Sequence, residues 1–551
     1  MIADYCIKGN AIYTGLDSGI GEPEESLLYS GCVLINGDRI LDVCSDWDAK
    51  RYIGENTVVI DAGDRLVMPG FIDAHTHFFS GAIAASEHVC TEIADSTSEE
   101  ECVRILTAYA GSHPEETRIR GRGWFVTNWG DAPLPTKDSL DEVFPNIPVY
   151  LQAADVHSYW LNSAALEECG ITKEMAKDNA NILLLPNGEL QGMLLEIEAC
   201  KPADEKYHAF TREERLEIYR NFMELSASYG VTSLSEMMPY EYDPKTYERY
   251  WELRILEELG SLTARVHIYT KLYDTDDFTT ALEWKRSLDS DYVKISGVKG
   301  FIDGVAETYT GLLLEPYTDR PDTCGLHVPF RSQRELSHAV TLANQAGLPV
   351  RIHCIADGSV RMALNAFEEA YFRTQTILPN TIEHIETIHP DDMERFRSLH
   401  VIPSMQPIHL LLDADGKIIR VGNERIKWEW PTKTMLDICG TLAIGTDYPV
   451  VSLNPFDNIY AAVTRKNYDG SNASHNAWER LSVAEALKGY TSDAAKAYNR
   501  GHEIGSLKAG MFADVIILDR NLFSTPEEEI PNCKVEMTMV GGRVVYLSSE
   551  S

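Results

Sequence analysis

Apolar runs of strand length alternate with amphipathic helical stretches through the middle of the chain. Alternation of strands and helices is typical of a parallel sheet whose faces are covered by helices. The region contains eight strand candidates, which are Leu66 to His75, Val231 to Met237, Ala264 to Thr270, Val298 to Asp303, Pro349 to Ile355, Thr381 to Ile385, Val401 to Gln406 and Leu442 to Asp447. Eight strands close a (β/α)8 TIM-like barrel, so we predict an α/β fold of this type.

The two ends of the chain have a different pattern, in which short apolar runs are separated by glycine-containing turns. One run is Cys32 to Ile40, where Asn36-Gly37 is a strong hairpin signal, and similar runs lie at Ala513 to Asp519 and Met537 to Tyr546. Neither end is long enough to bury a good core alone. We therefore predict one small β-sandwich domain built from residues 1–65 and 503–551, and a barrel domain of residues 66–502.

The stretch between the first and second strand candidates is much longer than one helix requires. It extends from about residue 78 to residue 230 and contains its own strand candidate, Pro148 to Gln152. We expect an insertion that acts as a lid. Several aromatic residues lie in the insertion and after the fourth strand, among them Trp124, Tyr309 and Tyr317. We expect some of these aromatic residues to belong to the hydrophobic core. The others predict a pocket for an apolar or aromatic substituent.

The composition argues against several classes of protein. The 85 acidic residues outnumber the 49 basic residues and give a formal net charge of -36, whereas nucleic-acid binding requires clustered Lys and Arg. The 11 cysteines include no Cys-x-x-Cys pair, and no apolar run approaches the length of about 18 residues that indicates a membrane span. The N-terminus lacks a signal-peptide pattern. We expect a cytoplasmic protein without nucleic-acid or membrane partners, and a homodimer is compatible with the sequence.

The segment Pro69 to His77 ends in two histidines one residue apart, His75 and His77. Side chains at positions i and i+2 of an extended chain project from the same face, so both imidazoles can bind one metal ion. Other polar residues also terminate predicted strands, where such barrels carry their catalytic groups. These residues are Lys299, His353, His384 and Asp447.

Each of these residues taken alone has a simpler explanation. A lone strand histidine is most often a core residue, a lysine is often a surface or ion-pair residue, and an aspartate beside proline commonly caps a loop. Taken together, however, six such residues end five of the eight predicted strands. This coincidence predicts a metal centre at the carboxyl ends of the strands.

The motifs along the chain carry a resemblance to a known family. They are Pro69 to His77, Lys299 to Gly304 followed by Leu314 to Tyr317, Ser404 to His409, Gly445 to Val450, Gly505 to Asp514 and, more narrowly, Asp155 to Leu166 in the insertion. Together they resemble the amidohydrolase superfamily, in particular the YtcJ-like (amidohydrolase 3) family of metal-dependent hydrolases. The resemblance covers nearly the whole chain and is much more specific for the fold than for the substrate.

The resemblance implies a dinuclear metal centre. His75, His77 and Asp447 would hold one metal, His353 and His384 a second, and Lys299 would bridge them as a carbamate derived from CO2. Two divalent cations repel each other, so bridging anions are required, and a lysine ammonium would be repelled as well. Zinc is the default metal because imidazole and carboxylate suit it, and manganese and iron are alternatives.

The implied reaction is hydrolysis of a non-peptide carbon–nitrogen bond in a small amide, an N-acyl or N-substituted amide with an apolar or aromatic group. The metals would acidify a water to hydroxide and polarise the carbonyl, Asp447 would transfer the proton, and His409 would bind the carbonyl or its oxyanion. The predicted substrate contacts are Trp124, His157, Tyr309 and Tyr317. The alternatives are a cyclic amide or imide hydrolase or a deaminase, and last a non-catalytic interaction protein, which is disfavoured because all six ligand positions are present.

Overall fold

The computed structural model describes residues 1–16, 24–130, 132–154, 158–273, 275, 277–327, 329–330, 332–412, 414–467 and 476–549. The fold is mixed α/β. The chain divides into two compact units, the first formed by residues 1–78 with 223–551 and the second by residues 79–222. Sequence analysis placed the insertion at about residues 78–230.

The strands are β1 (Tyr5–Tyr13), β2 (Leu28–Asn36), β3 (Arg39–Cys44), β4 (Val58–Asp61), β5 (Leu66–Pro69), β6 (Phe71–Ile72), β7 (Ile119–Trp124), β8 (Val149–Ala153), β9 (Ser158–Leu161), β10 (Ile182–Leu184), β11 (Leu190–Leu195), β12 (Val231–Glu236), β13 (Arg265–Lys271), β14 (Val293–Phe301), β15 (Val350–Cys354), β16 (Thr381–His384), β17 (Ile402–Met405), β18 (Ala443–Ile444), β19 (Val515–Leu518), β20 (Val535–Val540) and β21 (Arg543–Leu547).

The helices are α1 (Asp46–Ala49), α2 (Phe78–Ala84), α3 (Glu99–Ser112), α4 (Lys137–Val143), α5 (Ser163–Glu168), α6 (Met175–Asp178), α7 (Glu196–Tyr207), α8 (Arg212–Ser228), α9 (Pro244–Glu258), α10 (Thr279–Ser287), α11 (Gln333–Gln345), α12 (Asp357–Thr374), α13 (Pro390–Leu399), α14 (Ala414–Arg425), α15 (Thr432–Cys439), α16 (Pro455–Thr464), α17 (Val483–Lys488) and α18 (Ala494–Ala497).

Eight parallel strands of the first unit form one sheet in chain order, from β6 through β12 to β18. Each of the eight predicted strands contributes to it. Backbone hydrogen bonds also join its two ends, from Ala74 N to Ile444 O at 3.1 Å and from Asp447 N to His75 O at 2.7 Å. Because the strands are parallel, the residues that follow their carboxyl ends lie at the same edge of the sheet.

The first predicted strand, Leu66 to His75, is not one strand but two. β5 pairs with β1 and β19 in a different sheet, and only β6 pairs with β12. Gly70 separates them, and a Cβ atom at this position would lie 2.1 Å from Cγ2 of Thr232. The close approach of Thr232 requires glycine where the chain passes from one sheet to the other.

Strands from both termini share the second sheet of this unit, in the order β21, β20, β19, β5, β1, β2 and β3, with β4 paired to β1. This sheet contains two tight hairpins, and the first forms at the Asn36-Gly37 turn that the sequence predicts. Asn36 pairs with Arg39 across a turn in which Gly37 has φ 60°, and Gly541 and Gly542 connect β20 to β21 with positive φ. The bidentate ion pair of Arg265 with Asp514, at 2.8 Å for both contacts, connects β13 to the start of β19.

The second unit contains a five-stranded sheet in the order β10, β11, β9, β8 and β7. The predicted strand Pro148 to Gln152 is present as β8. The core of this unit contains Trp124, Trp129 and Trp160, whose ring centroids lie 5.5 to 6.2 Å apart. The role of this unit as a lid stays a prediction.

All eleven cysteines are free thiols, and most of them are buried. Burial raises the pKa of Cys354 well above its ordinary value. Within the part of the chain that the structure describes, no helix combines the length and the apolar character that a bilayer crossing requires.

Candidate metal centre

The first group of ligand-type residues consists of His75, His77 and Asp447, which follow β6 and β18. One ligand atom from each residue lies within 4.8 Å of the others. Oδ1 of Asp447 is 3.0 Å from Nε2 of His77 and 3.5 Å from Nε2 of His75. The structure therefore brings together the three residues that the resemblance assigned to one metal.

The second group consists of His384, His409 and Asp447, again with their ligand atoms within 4.8 Å of one another. His384 ends β16, and His409 lies in the short helical turn after β17, where its Nε2 is 3.9 Å from Oδ2 of Asp447. The role predicted for His409 from the sequence is that of a catalytic group that binds the substrate carbonyl or its oxyanion. Its position beside Asp447 makes it a candidate metal ligand as well.

His353 and Lys299 lie near these groups. The His353 ring centroid is 4.5 Å from that of His384, and its Nε2 lies 3.2 Å from Gly304 O. Lys299 on β14 is fully buried, and among the described residues its Nζ has no hydrogen-bond partner. This Nζ lies 5.1 Å from the ring centroid of Phe301, which in turn lies 4.9 Å from the His353 ring.

Backbone conformation at the strand ends brings the ligands to one point. In an extended strand the side chains of Glu383 and His384 would project from opposite faces. Both nevertheless reach His75, since Glu383 bonds its Nδ1 at 2.7 Å and the His384 ring lies 4.9 Å from its ring. His384 has φ 74° and Asp447 has φ 62°, in the left-handed region that is uncommon for residues other than glycine.

Burial and mutual charge set the protonation states of the centre. Burial, followed by the positive charge of Lys299, lowers the pKa of His75 to about 4 and that of His353 to about 3. Burial also lowers the pKa of Lys299 to about 8. For Asp447, burial raises the pKa, but the charges of His75 and His77 outweigh it and hold the pKa well below its usual range. His75 and His353 are therefore neutral near neutral pH and Asp447 is ionised, as metal ligands must be.

The residues present fit a divalent metal ion. Nδ1 of His384 and Nζ of Lys299 are buried polar atoms without a hydrogen-bond partner among the described residues, which is costly unless another group contacts them. Imidazole nitrogens and a carboxylate are donors that suit zinc, manganese and iron.

Two buried carboxylates support the ligands, and sequence analysis assigned neither of them a role. Glu383 contacts His75 through Nδ1, and Asp73 accepts hydrogen bonds from the backbone N–H of His75 and from Thr446. Their positions in the sequence could have indicated this role. Each is a charged residue within an apolar strand, Glu383 directly before His384 and Asp73 two residues before His75. Such a residue is rarely buried unless it is paired.

The predicted substrate contacts are placed differently. Trp124 is 2% exposed in the core of the second unit, where its indole N–H donates to Leu151 O. Tyr317 is 1% exposed and donates to Gly311 O. Both side chains pack in hydrophobic clusters, as large aromatic side chains often do, and their contact with a substrate stays a prediction. Tyr309 is half-buried and donates to Asp319, while His157 lies outside the described residues.

A sequence profile of the amidohydrolase family matches residues 58–546. The chain belongs to this family. It is 30% identical to the protein LONG AFTER FAR-RED 3 of Arabidopsis thaliana, over 99% of this chain and 92% of that protein. It is 25% identical to the putative amidohydrolase YtcJ of Bacillus subtilis, over 98% of this chain and 99% of that protein. It is 24% identical to the N-substituted formamide deformylase of Arthrobacter pascens, over 93% of this chain and 94% of that protein. The YtcJ-like resemblance found in the sequence is confirmed.

A solved structure points to the same family. The crystal structure of an uncharacterized metal-dependent hydrolase from Pyrococcus horikoshii is 25% identical to this chain, with a TM-score of 0.77, and the likeness covers 95% of this amidohydrolase and 99% of the other chain. This likeness implies a TIM-like barrel. Together with family membership it identifies the protein as a metal-dependent hydrolase that acts on carbon–nitrogen bonds.

Proposed function

We propose that this amidohydrolase hydrolyses an N-substituted formamide or a related N-acyl amide with an apolar or aromatic substituent. The observation that carries the proposal is the pair of ligand groups that share Asp447 at the edge where the strands end. The similarity to the N-substituted formamide deformylase, which extends over 93% of the chain, supports the choice of substrate class.

The metal ligands in this proposal are His75, His77, His353, His384 and Asp447, with His409 as a further candidate, and the default occupants are two zinc ions. We propose that Lys299 carries a carbamate. Only the neutral amine reacts with CO2, and burial lowers the pKa of Lys299 to about 8, so the neutral form is populated near neutral pH. A carbamate would also give Nζ a partner and add the negative charge that a dinuclear centre needs.

The bound cations would supply Lewis-acid polarisation of the scissile carbonyl and would acidify a water molecule. The protein provides the proton transfer. Asp447 is ionised and stands at the edge of the sheet, so its Oδ2 can accept a proton from water and pass it to the leaving nitrogen. His409, 3.9 Å from that oxygen, can instead donate a hydrogen bond to the substrate carbonyl when it is not a metal ligand.

Support for an apolar substituent comes from exposed side chains. Large apolar side chains remain exposed in segments that follow the carboxyl ends of β14, β17 and β18. They are Leu326, Leu412 and Val450, which are 52%, 62% and 45% exposed. Contact with an apolar substituent would remove such surface from water.

We also propose two finer features of the fold, a closed (β/α)8 barrel and a composite β domain of sandwich type. The hydrogen bonds from Ala74 to Ile444 and from Asp447 to His75 support a closed (β/α)8 barrel, because they join the first and last strands of the sheet. The sheet that contains strands from both termini supports a composite β domain of sandwich type.

An activity screen of the zinc-loaded protein tests the proposed function. N-substituted formamides and longer N-acyl amines with apolar or aromatic groups would be compared with cyclic amides, imides and purine deaminase substrates. We expect the highest kcat/KM for the N-substituted formamides and no turnover by an Asp447→Ala control. A preference for cyclic substrates, or release of ammonia from a purine, would replace the proposed activity by one of the alternatives.

A further inference from the structure

Glu383 is fully buried and contacts the side chains of His75, Arg351 and Thr381. Its Oε2 lies 2.7 Å from Nδ1 of His75. Its Oε1 accepts hydrogen bonds from Arg351 on β15 at 3.2 Å and from Thr381 on β16 at 2.5 Å. Protein donors therefore hold both oxygens of the carboxylate in place.

The contact with Glu383 determines which nitrogen of His75 faces the metal centre. The guanidinium of Arg351 favours the ionised form of Glu383, and an ionised carboxylate only accepts hydrogen bonds. The proton of His75 must then be on Nδ1, which leaves the lone pair on Nε2. This Nε2 lies 3.5 Å from Oδ1 of Asp447, within the first ligand group.

Arg351 fixes Glu383 relative to the chain that carries His75. Its Nη1 donates to the backbone oxygen of Ala74 at 2.8 Å as well as to Glu383. Arg351 is itself fully buried, so its charge is offset inside the protein rather than by water. The position of His75 is therefore defined both at its ring and at the preceding peptide group.

Each ligand group also contains a histidine without such support, His77 in the first and His384 in the second. Nδ1 of His384 is buried and has no hydrogen-bond partner among the described residues. Nothing described there fixes the tautomer of His384, and binding of a metal would have to order it. A ligand whose other nitrogen is already bonded loses less freedom when the metal binds.

We infer that Glu383 is a positioning residue for the metal ligand His75, and that it strengthens metal binding at the group of His75, His77 and Asp447. The inference rests on the metal centre of the proposed function and is independent of the proposed substrate. A purely structural role for the buried pair of Arg351 and Glu383 is the competing explanation.

Titration of the metal-free protein with Co2+ tests the inference, with chelator competition for affinity and the visible absorption spectrum for ligand geometry. We expect two classes of site in the wild type. In Glu383→Gln one class should weaken by about 10- to 100-fold with an altered spectrum, whereas the other class should stay unchanged. Glu479→Gln is the matched control, because Glu479 is equally buried but bonds Thr434, outside the ligand groups.

The double variant Arg351→Gln/Glu383→Gln keeps the charge balance and guards against unfolding of the single variant. It should weaken the same class as much as Glu383→Gln does. Two classes with wild-type affinity and spectrum in either folded variant would show that Glu383 has only a structural role. Failure of the wild type to bind Co2+ would overturn the metal centre together with this inference, whereas a lack of amide hydrolysis would affect only the proposed substrate.

Discussion

Asp73 and Thr446 connect the first and last strands of the parallel sheet through one buried carboxylate. Oδ1 of Asp73 accepts a hydrogen bond from the backbone N–H of Thr446 at 2.9 Å, and Oδ2 accepts one from its hydroxyl at 2.6 Å. A metal-ligand candidate lies close to each partner in the chain, His75 two residues after Asp73 and Asp447 directly after Thr446. The contact therefore helps to set the distance between these two ligands.

We expect Asp73→Asn to weaken metal binding at the first group by about 10- to 100-fold. The amide nitrogen of asparagine is a donor, and it would replace an oxygen that now accepts hydrogen bonds from Thr446. Equilibrium titration with Zn2+ against a chelator measures the effect. Thr446→Val, which removes only the hydroxyl, should give a smaller loss, and equal affinities in both variants and the wild type would exclude this role.

The sharing of Asp447 by two ligand groups predicts different metal contents for single variants. The wild type should retain about two equivalents after dialysis. His77→Ala and His409→Ala should each retain about one, and Asp447→Ala should retain almost none. Elemental analysis of folded protein measures these values. Two equivalents in His409→Ala, with reduced kcat, would instead assign His409 to the substrate carbonyl.

The proposed carbamate on Lys299 predicts that Lys299→Ala loses metal and activity, and that short carboxylic acids such as formate or propionate restore part of both. The added acid would supply the anion that the missing side chain no longer provides. Protein prepared in 13C-labelled bicarbonate should show one carbamate signal in its carbon NMR spectrum, which is absent from the variant. A fully metal-loaded wild type without this signal would contradict the proposal.

Burial of Lys299 also predicts a pH dependence of stability for the metal-free protein. Its pKa falls from 10.5 to about 8 on folding, so between these values the unfolded chain binds a proton that the folded chain has released. Stability should therefore rise with pH in this window, by at most about 3 kcal/mol.

Urea unfolding in the presence of chelator, compared between wild type and Lys299→Met, isolates this contribution from that of other titrating groups. The wild type should gain stability relative to Lys299→Met as the pH rises from about 8 towards 10.5. Lys294→Met is the control, since Lys294 is a partly exposed residue that pairs with Asp289. A constant difference between wild type and Lys299→Met across the window would show that Lys299 is not buried as an amine.

The strands of the parallel sheet could be predicted from the sequence because each is a short apolar run that ends in polar residues. The division of Leu66 to His75 into β5 and β6 could not, since it depends on the close approach of Thr232 to Gly70, two residues far apart in the chain. Local pattern carries no information on such contacts, and sheet membership is decided by tertiary pairing.

The candidate site, like the sheet, could be predicted from the sequence only in part. His75 and His77 follow from the i, i+2 spacing, but the addition of His409 to a ligand group depends on the turn after β17. His384 is directed to the centre with a positive φ that strand alternation does not indicate. Trp124 was assigned to the substrate from its residue type, although a buried tryptophan is equally typical of a core.

In the proposed reaction, Asp447 is both a metal ligand and the group that transfers the proton. Burial raises its pKa, but the charges of His75 and His77 prevail and hold the pKa well below the ordinary range, so Asp447 stays ionised at the pH of any practical assay. Any loss of activity towards mildly acidic pH should therefore come from protonation of groups other than Asp447.

Asp447→Asn tests the proton transfer because the amide has a similar shape and retains an oxygen for the metal but cannot take up a proton. Loss of general-base catalysis costs about 10²- to 10⁴-fold in rate, so kcat should fall by at least that factor in variant protein whose metal content matches the wild type. KM should change much less if substrate binding is intact. Near wild-type kcat in fully loaded Asp447→Asn would remove Asp447 from the proton transfer and leave His409, 3.9 Å away, as the next group to test.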